Sequence, residues 1–255
     1  MDSSARGARC EQSNTSSLAG DGENWLDLSV IIPTYREVEN LPLLVPRIHT
    51  TCLQANIRHE ILIVDDDSRD GTEAVVASLA QTLPVRLILR TSERGLSSAV
   101  LKGMEVARGE VLLVMDADLS HPPEKIPELL AALRAPGVEF VLGSRYVAGG
   151  STEEQWGLFR WINSQLARLL AWPLVSLHDP LAGFFALHRA TFARAKDLDV
   201  VGYKIGLELL IKCGCKQIRE IPIHFRDRRH GVSKLTLREQ WNYLVHLQRL
   251  YVYRW

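Results

Sequence analysis

A chain of 255 residues, 46% hydrophobic and 24% charged, is long enough for one large core or two modest ones. Thirty basic residues balance thirty acidic ones, and a formal net charge of zero argues against bulk binding of nucleic acid. Four scattered cysteines make no disulfide scaffold, and Cys213-Gly214-Cys215 lacks the C-x-x-C spacing of a zinc site; it reads as reduced thiols near a helix end.

Residues 1–24 are Ser, Gly, Asn and charge without the apolar segment of a signal peptide, and they read as a disordered tail. A folded domain is expected over 25–235 and a C-terminal amphipathic helix over 236–255. Leu28–Ile32 is a short apolar strand ended by Pro33. Asn40 caps the next helix, with Pro42 in its first turn, and that helix runs to about Leu53. Ile61–Val64 is a second strand, followed by Asp65-Asp66-Asp67, a turn at Asp70-Gly71-Thr72 and a helix to about Ala80. Val85–Leu89 is the third strand and Leu96–Val106 the next helix. Glu110–Met115 is the fourth strand. Pro122-Pro123 opens a helix ending near Ala135-Pro136-Gly137, and Phe140–Leu142 is the fifth strand. Strands alternating with helices in this way predict an α/β fold with a mostly parallel central sheet.

Beyond about Ser151 the pattern changes. Trp156 to Leu177 reads as one long amphipathic helix. A strand at Phe184–Leu187, a helix at Ile205–Lys212, a strand at Gln217–Phe225 broken by Pro222, and a helix from about Leu237 complete the chain. The uncharged stretch Leu169–Leu177 is far short of the roughly 20 residues that a membrane span needs.

The chemistry gathers at strand ends. Asp116-Ala117-Asp118 follows a buried apolar strand, at the edge where open α/β sheets bind ligands. Two hard carboxylates there suit Mg²⁺ or Mn²⁺ holding a diphosphate, although a pair of Asp after a strand is also ordinary turn chemistry. Pro33-Thr34-Tyr35-Arg36-Glu37 and Asp65-Asp66-Asp67 end two further strands. Acidic clusters of this kind repel one another unless a cation, or a base and ribose offering donors, relieves the cost. Neither G-x-G-x-x-G nor G-x-x-x-x-G-K-[ST] is present, which disfavours a Rossmann dinucleotide enzyme and a P-loop NTPase. Phosphates are then left to metal and to basic side chains such as Arg145 in Gly143-Ser144-Arg145-Tyr146, for which a surface salt bridge is the plain alternative.

The ordered series Val30-Ile-Ile-Pro-Thr-Tyr-Arg-Glu37, Val64-Asp-Asp-Asp-Ser-Arg-Asp-Gly-Thr72, Asp116-Ala-Asp-Leu-Ser-His-Pro-Pro123, Gly143-Ser-Arg-Tyr146 and Arg228-Arg-His-Gly-Val-Ser-Lys234 resembles the dolichol-phosphate mannosyltransferases of bacterial or archaeal kind, within the family 2 inverting glycosyltransferases. The resemblance covers about residues 28 to 240 and implies the GT-A fold of nucleotide-diphospho-sugar transferases. It implies that Pro33, Tyr35, Glu37, Val64 and Asp66 hold base and ribose. It assigns the metal to Asp116 and Asp118, with Ser120 where some relatives carry a Gln ligand, and gives Ala117 a backbone contact to the donor. Arg145, Lys204, Arg228 and Lys234 surround the diphosphate, and Asp116, Asp118 and Arg145 carry catalysis. Arg160 and Ser164, one helical turn apart, meet the acceptor phosphate. Relatives often carry Asn where this chain has Arg36, and a hydroxyl residue where it has Ala182.

The implied reaction moves a hexose, mannose from GDP-mannose, onto a dolichol or polyprenyl phosphate with inversion. A UDP-glucose-dependent polyprenyl-phosphate glucosyltransferase shares these motifs, and a non-catalytic nucleotide-sugar-binding subunit is the alternative from another class. Gly231 between basic residues suggests a loop that closes on the donor. Trp156, Trp161, Trp172, Trp241 and Tyr243, mixed with Arg, suit a membrane interface, and helix packing with rim aromatics suits them equally. The expected location is the cytoplasmic face of a membrane. The chain reads there as a peripheral enzyme, a truncated one, or a subunit with a membrane-anchoring partner.

Overall fold

A computed structural model describes residues 26–152, 158–198, 204–226 and 237–254, with the backbone alone for 158–164 and 237–239. The order is β1 (Leu28–Thr34), α1 (Leu41–Gln54), β2 (His59–Asp65), α2 (Thr72–Leu79), β3 (Val85–Leu89), α3 (Leu96–Val106), β4 (Val111–Val114), a 3₁₀ turn at Pro123–Lys125, α4 (Ile126–Leu133) and β5 (Phe140–Ser144). There follow β6 (Ser151–Thr152), α5 (Leu158–Ala171), β7 (Phe185–His188), α6 (Arg189–Phe192), α7 (Ile205–Lys212), β8 (Ile218–Pro222), β9 (His224–Phe225) and α8 (Leu237–Arg254).

Among the described residues one sheet has seven strands in the order β3-β2-β1-β4-β7-β5-β8, and β6 and β9 pair separately. Neighbours in the large sheet are parallel except at β7, which runs antiparallel to both β4 and β5. Helices cover both faces, so β2 is buried along its whole length and needs the unbroken apolar run that marks it in the sequence. One face packs α1 and α4 over Val30, Ile32 and Ile63; the other packs α3 and α7 over Ile31, Leu62 and Phe185. A third cluster joins Ala171 and Leu174 beyond α5 to Leu207 of α7 and to Tyr243, Leu247 and Leu250 of α8.

Several boundaries differ from the sequence reading. Pro33 does not end β1, which runs on to Thr34. Pro33 points toward β4, but β4 pairs with β1 only as far as Val114 opposite Ile31, so the missing N–H costs no ladder bond. Asn40 precedes α1 without a side-chain cap; its Nδ2 donates to Glu37 Oε2 at 2.7 Å instead. Helix α5 stops at Ala171 rather than Leu177, because Pro173 disfavours helical backbone just before it. The broken strand is two elements, β8 and β9, and the short β6 and α6 carry no sequence signal of their own.

Gly109 sits where the turn into β4 crosses the start of β1. Its N–H donates to Ser29 Oγ at 2.8 Å, and Ser29 Oγ donates to the buried Glu60 at 2.7 Å. A Cβ at Gly109 would lie 2.4 Å from the Ser29 nitrogen and 2.5 Å from the Leu28 carbonyl carbon. Those are backbone atoms of a central strand and cannot swing aside. Gly109→Ala is therefore expected to destabilise the fold by about 1–3 kcal/mol, the usual cost of overpacking. A urea midpoint equal to that of the unchanged chain would contradict this packing.

Candidate active site

Strands β1, β2, β4 and β5 deliver their C-terminal ends to one edge of the sheet, and antiparallel β7 begins there. The loops at this edge are conformationally constrained. Arg36 after β1, Asp67 and Arg69 after β2, and Leu119 after β4 all adopt positive φ, between 51° and 64°. Non-glycine residues visit that region at a cost and cluster there at functional sites. Position 36 is one of these left-handed positions, which Asn tolerates better than Arg does.

The acidic cluster after β2 supplies its own compensation. Asp65 accepts Thr34 Oγ1 at 2.9 Å, Ser68 Oγ at 2.6 Å and the Ser68 N–H at 2.8 Å. Asp66 accepts the Gly95 N–H at 2.7 Å and faces the buried Arg90 guanidinium at 3.3 Å. Burial raises its pKa, while the Gly95 N–H and Arg90 pull in the opposite direction. Asp67 is held below the usual carboxylate range by its hydrogen bond from Arg69. Protein partners relieve part of the repulsion in this cluster, while burial and the neighbouring Asp65 and Glu93 leave the Asp66 pKa raised. Tyr35 stands beside it with Arg36 at 5.3 Å and Arg94 at 5.2 Å from its ring centre. Pro33 and Val64 lie opposite each other in β1 and β2.

The pair after β4 behaves differently. Asp118 is buried and braced: its Oδ1 accepts Ser120 Oγ at 2.5 Å and the Ser120 N–H at 3.1 Å. Ser120 thereby orients Asp118. The Asp116 side chain is 32% exposed, and among the described residues its carboxylate accepts no hydrogen bond; His121 Nδ1 is 3.9 Å away. His121 Nδ1 accepts the Asp116 N–H at 3.0 Å, and the ring stacks on Phe184 and meets Phe225 edge-on. Burial lowers the His121 pKa, although Asp116 and Asp118 work against that. A Cβ on Gly183 would stand 3.4 Å from both Asp116 Oδ2 and His121 Cε1, so this glycine keeps the carboxylate's surroundings open.

Arg145 follows β5 and forms a two-pronged ion pair with the fully buried Asp179, Nε at 2.8 Å and Nη2 at 2.9 Å. Desolvation works against its charge, but Asp179 more than offsets this and holds the Arg145 pKa above its ordinary value. Asp179 is fixed in turn by its N–H to Glu220 Oε1 at 2.8 Å. Lys204, at the start of α7, donates Nζ to Leu181 O at 3.2 Å.

The structure thus gathers Asp116, Ala117, Asp118, Ser120 and Arg145 around His121, with Tyr35, Glu37 and Asp66 along the same edge. Arg160 and Ser164 lie on α5, where only the backbone is described, and Arg228 and Lys234 lie outside the described residues. The sequence reading gave no role to His121, Asp179, Arg90 or Arg94. His121 sits inside a stretch already singled out, but nothing in a linear sequence pairs Asp179 with an arginine 34 positions earlier. Among the described residues no group of three or more His, Cys, Asp or Glu is arranged to hold a metal ion.

Residues 29–194 match the family described as Glycosyl transferase family 2. The chain also resembles solved GT-A structures: mannosyl-3-phosphoglycerate synthase from Rubrobacter xylanophilus, 23% identical over 90% of this chain and 74% of that one, with a TM-score of 0.66. Glucosyl-3-phosphoglycerate synthase from Mycobacterium tuberculosis, solved with Mn²⁺, uridine diphosphate and phosphoglyceric acid, is 18% identical over 90% and 78%, with a TM-score of 0.67. These likenesses establish the GT-A fold.

Dolichol-phosphate mannosyltransferase of Mycosarcoma maydis is 45% identical over 89% of this chain and 79% of its own length. The Pyrococcus furiosus protein of the same name is 43% identical over 88% and 64%, and that of Saccharomyces cerevisiae 40% over 90% and 88%. The chain belongs to glycosyl transferase family 2, in its dolichol-phosphate mannosyltransferase group. These relatives are fungal as well as archaeal, so the bacterial or archaeal kind is not singled out.

Proposed function

We propose that this enzyme transfers mannose from GDP-mannose to the phosphate of a dolichol or polyprenyl phosphate, with inversion at the anomeric carbon and with Mg²⁺ or Mn²⁺. The observation that carries the reading is the contrast between Asp118, locked by Ser120, and Asp116, a half-buried carboxylate with no hydrogen bond among the described residues. Two hard oxygen ligands at a sheet edge fit a small divalent cation such as Mg²⁺ or Mn²⁺. Asp116 and Asp118 would hold the cation, which when bound supplies positive charge to the diphosphate leaving group. The hydroxyl of Ser120 serves Asp118 rather than the metal.

The other roles are those that the motif resemblance implies. Tyr35 and Asp66, with Pro33, Glu37 and Val64, line the edge where base and ribose lie. Arg145, rigidly held by Asp179, keeps a fixed positive charge toward the bond that breaks, and Lys204, Arg228 and Lys234 add to it. The backbone of Ala117 borders the sugar. Arg160 and Ser164 serve the acceptor phosphate. That phosphate is itself the nucleophile and is largely ionised near neutral pH, its second pKa being about 6. No general base is required, and His121 remains a neutral ring that positions the Asp116 backbone. The oxygen of the acceptor attacks as the bond to the diphosphate breaks, in one displacement with inversion.

Access to a lipid substrate is supported by the outer face of α5 and α8. Leu166, Leu169 and Trp172 are exposed by 51%, 62% and 60%, and Trp241 by 67%. No described helix is long and apolar enough to cross a membrane. This face suits the surface of a membrane on its cytoplasmic side, or an anchoring partner within it. The reading is tested by offering GDP-mannose, UDP-glucose and other donors with a short polyprenyl phosphate and Mg²⁺ or Mn²⁺. Transfer of mannose from GDP-mannose is expected to dominate. Preferential use of UDP-glucose would make the chain a glucosyltransferase, and absence of transfer from every donor would leave a nucleotide-sugar-binding subunit.

A further inference from the structure

Arg94 lies in the loop between β3 and α3. The strand order places that loop beside β2, on the far side of β1 from Asp116. Its backbone is pinned, because the next residue, Gly95, donates its N–H to the buried Asp66 at 2.7 Å. The side chain reaches back to Tyr35, with the guanidinium 5.2 Å from the ring centre. Nη1 donates to Tyr35 Oη and Nη2 to Asp67 O, both at 3.4 Å. Bonds of that length orient the guanidinium plane but hold it weakly.

The charge of Arg94 is not cancelled where it stands. Asp67 lies 3.8 Å away, but Arg69 occupies its carboxylate with Nε at 2.9 Å and Nη2 at 2.8 Å. Glu93, the preceding residue, turns to Arg90 at 3.4 Å. Arg36 brings a further positive charge to the same Tyr35 ring, at 5.3 Å. The Arg94 side chain stays 57% exposed and spends two of its N–H donors, weakly, inside the protein. A planar donor fork fixed beside an aromatic ring matches a ligand that carries two neighbouring acceptors in the plane of its own ring.

Among the nucleobases, guanine meets that description, because O6 and N7 both accept. Adenine sets a donating amine beside N7, cytosine offers a donating amine, and uracil has O4 without an N7. Stacking on an aromatic ring is tolerant, since every base has a π face, so the donor fork is what discriminates. Taking the proposed GDP-mannose donor with its base beside Tyr35 as the starting point, we infer that Arg94 selects guanine by donating two hydrogen bonds to O6 and N7. Arg94 is then the specificity-determining residue that sets GDP apart from UDP and ADP.

The test measures dissociation constants of GDP, UDP and 7-deaza-GDP, in which a C–H replaces N7, by calorimetry on the full chain with Mg²⁺. The unchanged chain is expected to bind GDP at least about five-fold more tightly than either of the other two. Arg94→Leu should bring the ratio of GDP to 7-deaza-GDP to about one and weaken GDP more than UDP. In mannosyl transfer the same variant should raise KM for GDP-mannose with kcat nearly unchanged, because a base contact is equally strong before and during bond breaking. A merely structural arginine would change stability without changing discrimination at a single ring atom. Equal binding of GDP and 7-deaza-GDP by the unchanged chain, or a ratio that survives Arg94→Leu, overturns the role of Arg94 and leaves the donor assignment standing. Tighter binding of UDP than of GDP by the unchanged chain overturns the donor assignment and the role of Arg94 with it.

Discussion

Asp118→Asn is expected to lower turnover by at least about a thousand-fold, or about 4 kcal/mol of transition-state stabilisation, while leaving the fold in place. The change is isosteric. It removes one of the two carboxylates proposed to hold the cation and leaves an oxygen that still accepts from Ser120 Oγ and N–H. A structural role for Asp118 would therefore be largely preserved, and a charge role would be lost. The urea midpoint should stay within about 0.5 kcal/mol of the unchanged chain, and the Mg²⁺ or Mn²⁺ concentration needed for half-maximal rate should rise steeply. Near-normal activity with an ordinary metal requirement would remove Asp118 from the site. Loss of both fold and activity would move it from the chemistry to the core.

Arg145→Ala carries the second large effect, and here stability and activity fall together. Asp179 has no exposed surface, and its carboxylate accepts both prongs of the Arg145 guanidinium and the Arg145 N–H. Removing the arginine strands a buried charge at a cost of about 3–5 kcal/mol. The double change Arg145→Met with Asp179→Leu removes both charges, and much of the lost stability should return. Activity should not return, because the fixed positive charge beside Asp116 is still missing. Equilibrium unfolding of the two variants alongside mannosyl transfer separates the effects. A double variant with recovered activity would restrict Arg145 to a scaffold role.

Much of the fold was legible because its signals are local. The runs at Leu28–Ile32, Ile61–Val64 and Val111–Val114 are buried on both faces, and a strand in that position must be continuously apolar. Helix α3 was read over its full span from Leu96 to Val106 because its apolar spacing is regular. Pro33 was misread as a stop, since the harmlessness of its missing N–H depends on how far β4 reaches. The site was legible in the same uneven way. Asp116 and Asp118 follow a strand visibly, but their different states depend on Ser120, His121 and Gly183. Asp66 was legible as an acid at a strand end, whereas Arg90 and the Gly95 N–H that hold it arrive from a later strand and helix. Long-range ion pairing of this kind leaves no periodicity to find.

Strand β7 has a consequence for sheet and site together. Strands β4 and β5 are not neighbours; four residues, Phe185–His188, lie between them and, among the described residues, are the only ladder joining β5 and β8 to the rest of the sheet. Without this strand the seven-stranded sheet would be two separate pieces. The segment leading into it brings Asp179 and Gly183 up to Arg145 and Asp116. Sheet continuity and the geometry around Asp116 and Arg145 therefore depend on the same four-residue strand, and a change that loosens β7 would disturb both at once.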